Sequence, residues 1–213
     1  MNQTSRKIEW LVWGALTLTI LIILGAFIYS KIVGAEAGRA LAPLTAGLPA
    51  FTMTNQFGEV VTADSLKGKV LFVDIIFTQC GGPCPKMTQR MAELQSQLPP
   101  QLPVKLVTLT TDPEHDSPAV LKRYGEKFGA DFNRWSFLTG TKTNLAVLAR
   151  DGLRLVAEEI KPEERVSPDD LFLHSTIFVL LDKHGRLRGS FDSAEEGFLA
   201  KAAKAVKAIA KER

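Results

Sequence analysis

The hydrophobic pattern of this chain separates a long apolar run near the N-terminus from a series of short alternating strands and helices. Residues 10–29 carry no charge and have about the length of a membrane-spanning helix. Basic residues precede this run, which favours a cytoplasmic N-terminus. We therefore expect a short cytoplasmic segment at residues 1–9, a transmembrane anchor at 10–33 and a linker at 34–47.

A cleavable signal peptide is the alternative to this anchor, because Ala35-Glu36-Ala37 has the small residues of a cleavage site. The apolar run is longer than the ~7–15 residues typical of a signal peptide, which favours the uncleaved anchor. In both cases the chain beyond the run lies outside the cytoplasm, where the redox state of thiols varies. We predict a single-pass protein of the bacterial inner membrane, with its soluble domain in the periplasm.

Residues 48–213 show the alternating pattern of an α/β domain. Residues 51–62 predict a β-hairpin across a glycine turn, and the apolar, β-branched residues 69–77 predict a central strand buried on both faces. The remaining predicted elements are a helix at 85–98, a strand at 104–109, a helix at 118–128 with Ser117 as N-cap, a short helix at 144–150, a hairpin of 176–181 and 186–191, and a helix at 194–211. This order predicts a thioredoxin-like fold with an additional N-terminal β-hairpin, preceded by one transmembrane helix.

The candidate chemistry lies in the segment FTQCGGPCP at residues 77–85, which contains both cysteines of the chain. A pair as close as Cys80 and Cys84 can cycle between dithiol and disulfide, or can bind a soft metal ion. A purely structural disulfide is disfavoured, because closing so short a loop would contribute only ~2 kcal/mol. In a thioredoxin-like layout the cysteines meet the N-terminus of a helix, whose dipole and N–H groups are expected to lower the thiol pKa.

The charge of the chain gives little information on its partners, except that it does not favour nucleic acid. The net charge is +3, and acidic and basic residues are interspersed along the chain. Nothing in this pattern indicates a nucleic-acid partner.

Four short motifs resemble those of the Sco/SenC family, whose copper-handling members are needed to assemble the copper centre of cytochrome c oxidase. They are FTxCxxxCP at 77–85, TTDPEHDSP at 110–118, LHST at 173–176 and DKHG at 182–185. The resemblance spans roughly residues 48–192. It implies a metallochaperone that binds copper, as Cu(I) or Cu(II). It also implies that the partner is the copper-site subunit of cytochrome c oxidase, or another copper or thiol protein.

The same resemblance implies Cys80, Cys84 and His174 as the metal ligands. Three residues between the cysteines widen the loop so that both sulfurs can point at one ion, and Cu(I) accepts two thiolates and an imidazole. His174 would stand where thioredoxins have the residue before their cis-proline. Two departures from the family pattern are Leu173, where aspartate is usual, and the Gly-Gly-Pro loop interior; either could alter copper affinity or redox potential.

Alternative functions use the same residues. A thiol–disulfide oxidoreductase would use Cys80 and Cys84 as a redox pair to reduce the cysteines of a copper-site target. A peroxidase of the peroxiredoxin type is disfavoured, because Thr78 stands two rather than three positions before Cys80 and no proline occupies residues 70–79. Two cysteines and one histidine also match a catalytic zinc site with an open position, but zinc is the weaker candidate because nothing else in the chain indicates hydrolytic chemistry.

The other candidate side chains have simpler interpretations. His115 and His184 are expected in solvated loops, and Met87 and Met91 have the spacing of a helix face in the core.

Three aspartates complete the set of candidate polar residues. Asp112 and Asp116 are expected to cap the helix that follows them, although Asp112 ends a strand near the site and could tune it. Asp74, on a buried strand, requires a partner that the sequence does not identify.

Overall fold

The protein divides into two units, residues 1–42 and residues 43–213. The computed structural model describes residues 10, 12–28, 42–155 and 176–212. In the first unit, residues 12–28 are helical. Within the described parts of the chain, no helix combines the length and the apolar character needed to cross a bilayer. The anchor predicted at 10–33 extends beyond the described residues, so it stays a prediction.

The second unit is built on one mixed sheet. Its described strands are β1 (Thr52–Asn55), β2 (Val60–Thr62), β3 (Val70–Ile76), β4 (Val104–Thr110), β5 (Trp135–Thr139), β6 (Ile177–Leu181) and β7 (Leu187–Asp192). They lie in the order β2-β1-β5-β4-β3-β6-β7. The central strands β3, β4 and β5 are parallel, and the outer strands pair antiparallel with their neighbours. Both predicted hairpins, β1–β2 and β6–β7, are confirmed.

Helices cover this sheet. They are α1 (Cys84–Gln97), α2 (Pro118–Lys127), α3 (Lys142–Val147) and α4 (Phe198–Ala210), with a 3-10 turn at Asp64–Leu66 and a π-helical turn at Leu148–Leu153. Helices α1 and α4 contact each other, and α4 also packs on β3.

The central strand β3 is buried on both faces, as its apolar sequence predicts. Leu71 and Val73 belong to the larger hydrophobic core cluster on one face of the sheet. On the other face, the Phe72 ring stacks on Phe178 with centroids 5.4 Å apart and also contacts Phe198 of α4. A strand held on both faces provides a rigid base for the loop that follows it, which carries the cysteines.

Helix α1 begins where two prolines favour a helix start. Pro83 is its N-cap and Pro85 lies in the first turn, where a missing N–H costs no hydrogen bond. Met87, Met91 and Leu94 form its buried face, so the prediction that the two methionines belong to the core is confirmed.

The sequence pattern missed or misplaced three elements. Strand β5 was not predicted, because its five residues WSFLT are buried throughout and show no alternation. The short helix predicted at 144–150 is α3 together with part of the π-helical turn at Leu148–Leu153. Helix α4 begins at Phe198 rather than at residue 194, because Gly197 precedes it with a φ of 75°, outside the helical region.

Candidate metal centre

The two cysteines lie at the carboxyl end of β3, where the strand gives way to α1. Cys80 closes a turn in which its backbone N–H donates to Phe77 O at 3.2 Å. Cys84 is the first residue of α1. Both are thiols, with 6% and 4% of their surface exposed. The structure therefore brings the two predicted sulfur ligands together, within one buried cluster and in hydrogen-bond contact.

The ionisation of Cys84 differs from the sequence-based expectation. A hydrogen bond with Cys80 and burial in an apolar environment raise the pKa of the Cys84 thiol, although a hydrogen bond from the Phe77 backbone favours the thiolate. The expected lowering by the helix N-terminus is therefore wrong for Cys84, because the neighbouring sulfur and desolvation outweigh it. Without metal, Cys84 holds its proton at neutral pH.

An apolar wall surrounds the thiols. Ile76, Phe77 and the half-buried Tyr124 of α2 pack around the two cysteines. The Tyr124 hydroxyl lies 2.9 Å from Thr88 Oγ1, which donates to Cys84 O at 2.9 Å. Burial raises the pKa of Tyr124, so this hydroxyl stays protonated. Neither Tyr124 nor Thr88 is predicted from the sequence, in which their only signal is their position on helices next to the predicted site.

Asp74 lies fully buried on β3, and the structure identifies the partner that the sequence left open. Thr108 of β4 donates from Oγ1 to Asp74 Oδ1 at 2.6 Å, and Trp135 Nε1 donates to Thr108 Oγ1 at 2.9 Å. Asp74 Oδ2 is buried with no hydrogen-bond partner among the described residues. Burial raises the pKa of Asp74 to about 7, and a negative charge on Asp74 disfavours a thiolate at Cys84.

Asp116 has a different role from the one predicted. Its carboxylate is fully buried and accepts hydrogen bonds from the backbone N–H and hydroxyl of Thr78 and from the hydroxyl of Thr110. It therefore does not cap α2. Asp112 does not cap this helix either, because its Oδ1 accepts from the backbone N–H of His115. Ser117 occupies the N-cap position as predicted, but its side chain makes no capping hydrogen bond.

The structure tests the predictions for two of the three histidines. His115 and His184 are exposed, so their assignment to solvated loops is confirmed. His174, the third proposed ligand, lies outside the described residues, and its role stays a prediction. In the described ranges, no group of three or more His, Cys, Asp and Glu side chains is arranged to hold a metal ion.

The fold and the site together define a thioredoxin-like protein with a buried dithiol between a central strand and the following helix. The SCO1/SenC family model matches residues 42–211. The chain therefore belongs to the SCO1/SenC family.

Known relatives and solved structures agree with this assignment. The chain is 31% identical to the SCO1 protein homolog of Bacillus subtilis over 155 residues, which cover 72% of this chain and 77% of that protein. The structure of BsSco, a member of the Sco family of cytochrome c oxidase assembly proteins with a disulfide switch, is similar with a TM-score of 0.68 and 29% identity over 80% of this chain and 97% of that one. The structure of Bradyrhizobium japonicum ScoI with copper bound gives a TM-score of 0.63 and 26% identity, over 77% and 99% of the two chains.

Proposed function

We propose that this protein is a copper-binding metallochaperone that holds copper through Cys80, Cys84 and His174. The observation that carries the proposal is the pair of reduced, buried thiols at the β3–α1 junction. Two thiolates on a widened loop suit the soft ion Cu(I), and one imidazole completes a low-coordinate site. The similarity to ScoI with copper bound supports copper over zinc.

The position of β6 supports His174 as the third ligand. Strand β6 runs antiparallel to β3, with Val179 opposite Val73. The first residue of β6, Ile177, therefore lies toward the carboxyl end of β3, the same end of the sheet as the cysteine loop. His174 precedes this strand by three residues, so the chain enters β6 from the side on which a third ligand is needed.

The recipient of the copper would be a copper-site subunit of cytochrome c oxidase, or another protein with a copper or thiol site. The support is the family itself, since BsSco belongs to the Sco family of cytochrome c oxidase assembly proteins. Delivery from a buried dithiol would require the recipient to offer ligands that compete for the same ion.

We also propose that residues 10–33 anchor the protein in the bacterial inner membrane and that the thiol domain lies in the periplasm. Residues 10–29 carry no charge. The large apolar side chains of the helix at 12–28 are exposed, for example Ile22 and Ile23 with 64% each. Such a surface is unfavourable in water and suits a lipid environment.

A second candidate function is reduction of a disulfide in a copper-site target. In that reaction both protein thiols are oxidised to the Cys80–Cys84 disulfide, and the target disulfide takes up two electrons and two protons to become two thiols. The observation that favours it is the pairing of two reduced thiols in hydrogen-bond contact. The two functions are compatible, because copper binding also requires the dithiol form.

The test of copper binding is an anaerobic titration of the reduced full-length chain, in mild detergent, with Cu(I) against a competing chelator. Cys80→Ser, Cys84→Ser and His174→Ala are compared with His184→Ala, a control histidine exposed in the β6–β7 turn. We expect one copper per chain, lost in both serine variants, weakened by His174→Ala and unchanged by His184→Ala. Equal binding by the wild type and the serine variants would overturn the proposal and leave the reductase function.

A further inference from the structure

Asp116 joins the loop that carries Cys80 to the loop that follows β4. Its Oδ2 accepts from the backbone N–H of Thr78 at 3.0 Å and from the hydroxyl of Thr110 at 2.5 Å, and its Oδ1 accepts from the hydroxyl of Thr78 at 2.5 Å. The side chain is completely buried. One carboxylate thus satisfies three donors that would otherwise lack partners in the interior.

The hydrogen bonds around Asp116 form one connected network. Thr110 Oγ1, which donates to Asp116, also accepts from the backbone N–H of Asp112 at 2.9 Å. The backbone N–H of Asp116 donates to Asp112 O at 2.8 Å, and the N–H of Thr111 donates to Ile76 O at 2.9 Å. The ends of the neighbouring parallel strands β3 and β4 are therefore joined by the final backbone bond of their pairing and, beyond it, by the side-chain hydrogen bonds of Asp116.

The network reaches the thiol site through Thr78, which lies two residues before Cys80. Asp116 fixes both the backbone and the side chain of Thr78, while the turn from Phe77 O to the N–H of Cys80 continues the constraint to the cysteine. Cys84 is fixed separately, as the first residue of α1. The separation of the two sulfurs thus depends on how firmly Thr78 is held.

We propose that Asp116 is a positioning residue for the dithiol: through Thr78 it holds the loop that carries Cys80 beside Cys84, so that the two thiols meet more readily, for disulfide formation or for copper binding, than they would on a mobile loop. The part that concerns copper rests on the function proposed above, and the part that concerns the disulfide does not. A thiol pair held in place reacts with a higher effective concentration than a mobile one. Outer partners that orient metal ligands commonly change metal affinity 10–100-fold when they are removed.

Two variants weaken the contact between Asp116 and Thr78 to different extents. Asp116→Ala removes all three hydrogen bonds and leaves buried donors unsatisfied, whereas Thr78→Val removes only the hydroxyl contact and keeps the shape of the side chain. Thr78→Ser restores the hydroxyl. The matched control is Asp182→Ala, which removes another buried carboxylate that accepts several hydrogen bonds. Asp182 follows Leu181, which pairs with Leu71 near the start of β3, at the opposite end of the strand from Cys80.

The experiment uses the full-length chain in mild detergent and measures two quantities for each variant. The first is the equilibrium constant with glutathione, in which the dithiol and one glutathione disulfide give the Cys80–Cys84 disulfide and two glutathione thiols. The second is the Cu(I) affinity by chelator competition. The free energy of unfolding is measured in parallel, to separate positioning from general destabilisation.

We expect Asp116→Ala and Thr78→Val to lower the Cu(I) affinity about tenfold or more and to lower the glutathione equilibrium constant as well, because the two thiols are then less well held; the alanine variant should be affected more strongly in both measurements. Thr78→Ser should restore the wild-type glutathione equilibrium constant. Asp182→Ala should lower the free energy of unfolding without changing that constant. If Asp116→Ala does not fold, the comparison of Thr78→Val with Thr78→Ser decides the question. Wild-type equilibrium constants in folded Asp116→Ala or in Thr78→Val would overturn the proposal. Failure of the wild type to bind Cu(I) would overturn the copper function alone, because the glutathione equilibrium tests Asp116 independently.

Discussion

Asp74 and Thr108 lie opposite each other on the parallel strands β3 and β4, and the Thr108 hydroxyl donates a 2.6 Å hydrogen bond to the buried Asp74 carboxyl group. This single bond leaves the other carboxyl oxygen of Asp74 without a described partner. A buried carboxylate with one hydrogen bond is costly, so the group retains its proton to a higher pH than an exposed aspartate.

The first prediction is that folding stability falls as the pH rises from about 4 to about 7. Burial raises the pKa of Asp74 from 3.8 to about 7. In this window the folded state keeps a proton that the unfolded state has lost, so the contribution is present at low pH and lost as the pH passes the folded pKa. Its size is about 4 kcal/mol, since each tenfold change in proton affinity corresponds to about 1.4 kcal/mol.

Urea unfolding of the reduced protein between pH 4.5 and 8 measures this dependence. In Asp74→Asn, the fall in the free energy of unfolding over this pH range should be smaller by the contribution of Asp74. Thr108→Val should move the decline to higher pH, because the hydrogen bond from Thr108 favours the charged carboxylate. An identical pH dependence in the wild type and Asp74→Asn would show that Asp74 is not the group responsible.

The second prediction concerns the reactivity of Cys84. The hydrogen bond with Cys80 is the largest cause of its raised pKa. We expect Cys80→Ala to lower the pKa of Cys84, and therefore to move the pH dependence of its alkylation toward lower pH. The measurement is the rate of iodoacetamide labelling against pH, with labelling of Cys80 in Cys84→Ala for comparison. No change in the midpoint for Cys84 would exclude Cys80 as the cause.

The third prediction separates the contribution of the Tyr124 hydroxyl to stability from the shielding of the thiols by its ring. Tyr124→Phe removes the hydroxyl contact with Thr88 but keeps the ring against the cysteines. It should cost about 1 kcal/mol of stability and leave thiol labelling unchanged. Tyr124→Ala should also accelerate labelling of the thiols, because the wall over them is lost. Equal labelling rates in the two variants would contradict a shielding role for the ring.

The fourth prediction tests the close packing of α2 on the sheet. A Cβ atom at Gly125 would lie 2.8 Å from ring atoms of both Phe132 and Phe137. Gly125→Ala should therefore destabilise the fold by about 1–3 kcal/mol. Glu126→Ala, at the exposed neighbouring position, is the control and should change stability by about 0.5 kcal/mol or less. Chemical denaturation measures both, and a stability loss no larger than that of the control would contradict the packing argument.

Local pattern was sufficient to predict the parts of the fold that place the cysteines. The continuous apolar run of β3 identifies a strand buried on both faces, and the prolines beside Cys84 identify the start of α1. The five residues of β5 were not predictable in this way, because their identity as a strand depends on pairing with β1 and β4.

The surroundings of the candidate site were less predictable than the cysteines. Asp116 contacts Thr78 across 38 residues of sequence, and only the parallel pairing of β3 and β4 brings the two together. A sequence-based signal did exist, since the carboxyl ends of adjacent parallel strands meet at one edge of a sheet. The raised pKa of Cys84 depends on burial and on contact with the Cys80 sulfur. The start of a helix can be predicted from the sequence, but these two effects depend on the folded structure.

The different attachments of the two cysteines have a consequence for recognition by other proteins. Cys84 belongs to a 14-residue helix whose inner face is packed in the core, and Thr78 is fixed by Asp116. When the sulfurs move together to form a covalent bond, or apart to admit an ion, the displacement must therefore be taken up by residues 79–83. Gly81 and Gly82 in this segment are exposed. We therefore expect oxidation of the buried pair, or the binding of an ion to it, to change the exposed surface at Gly81 and Gly82, which another protein can contact without reaching the sulfurs.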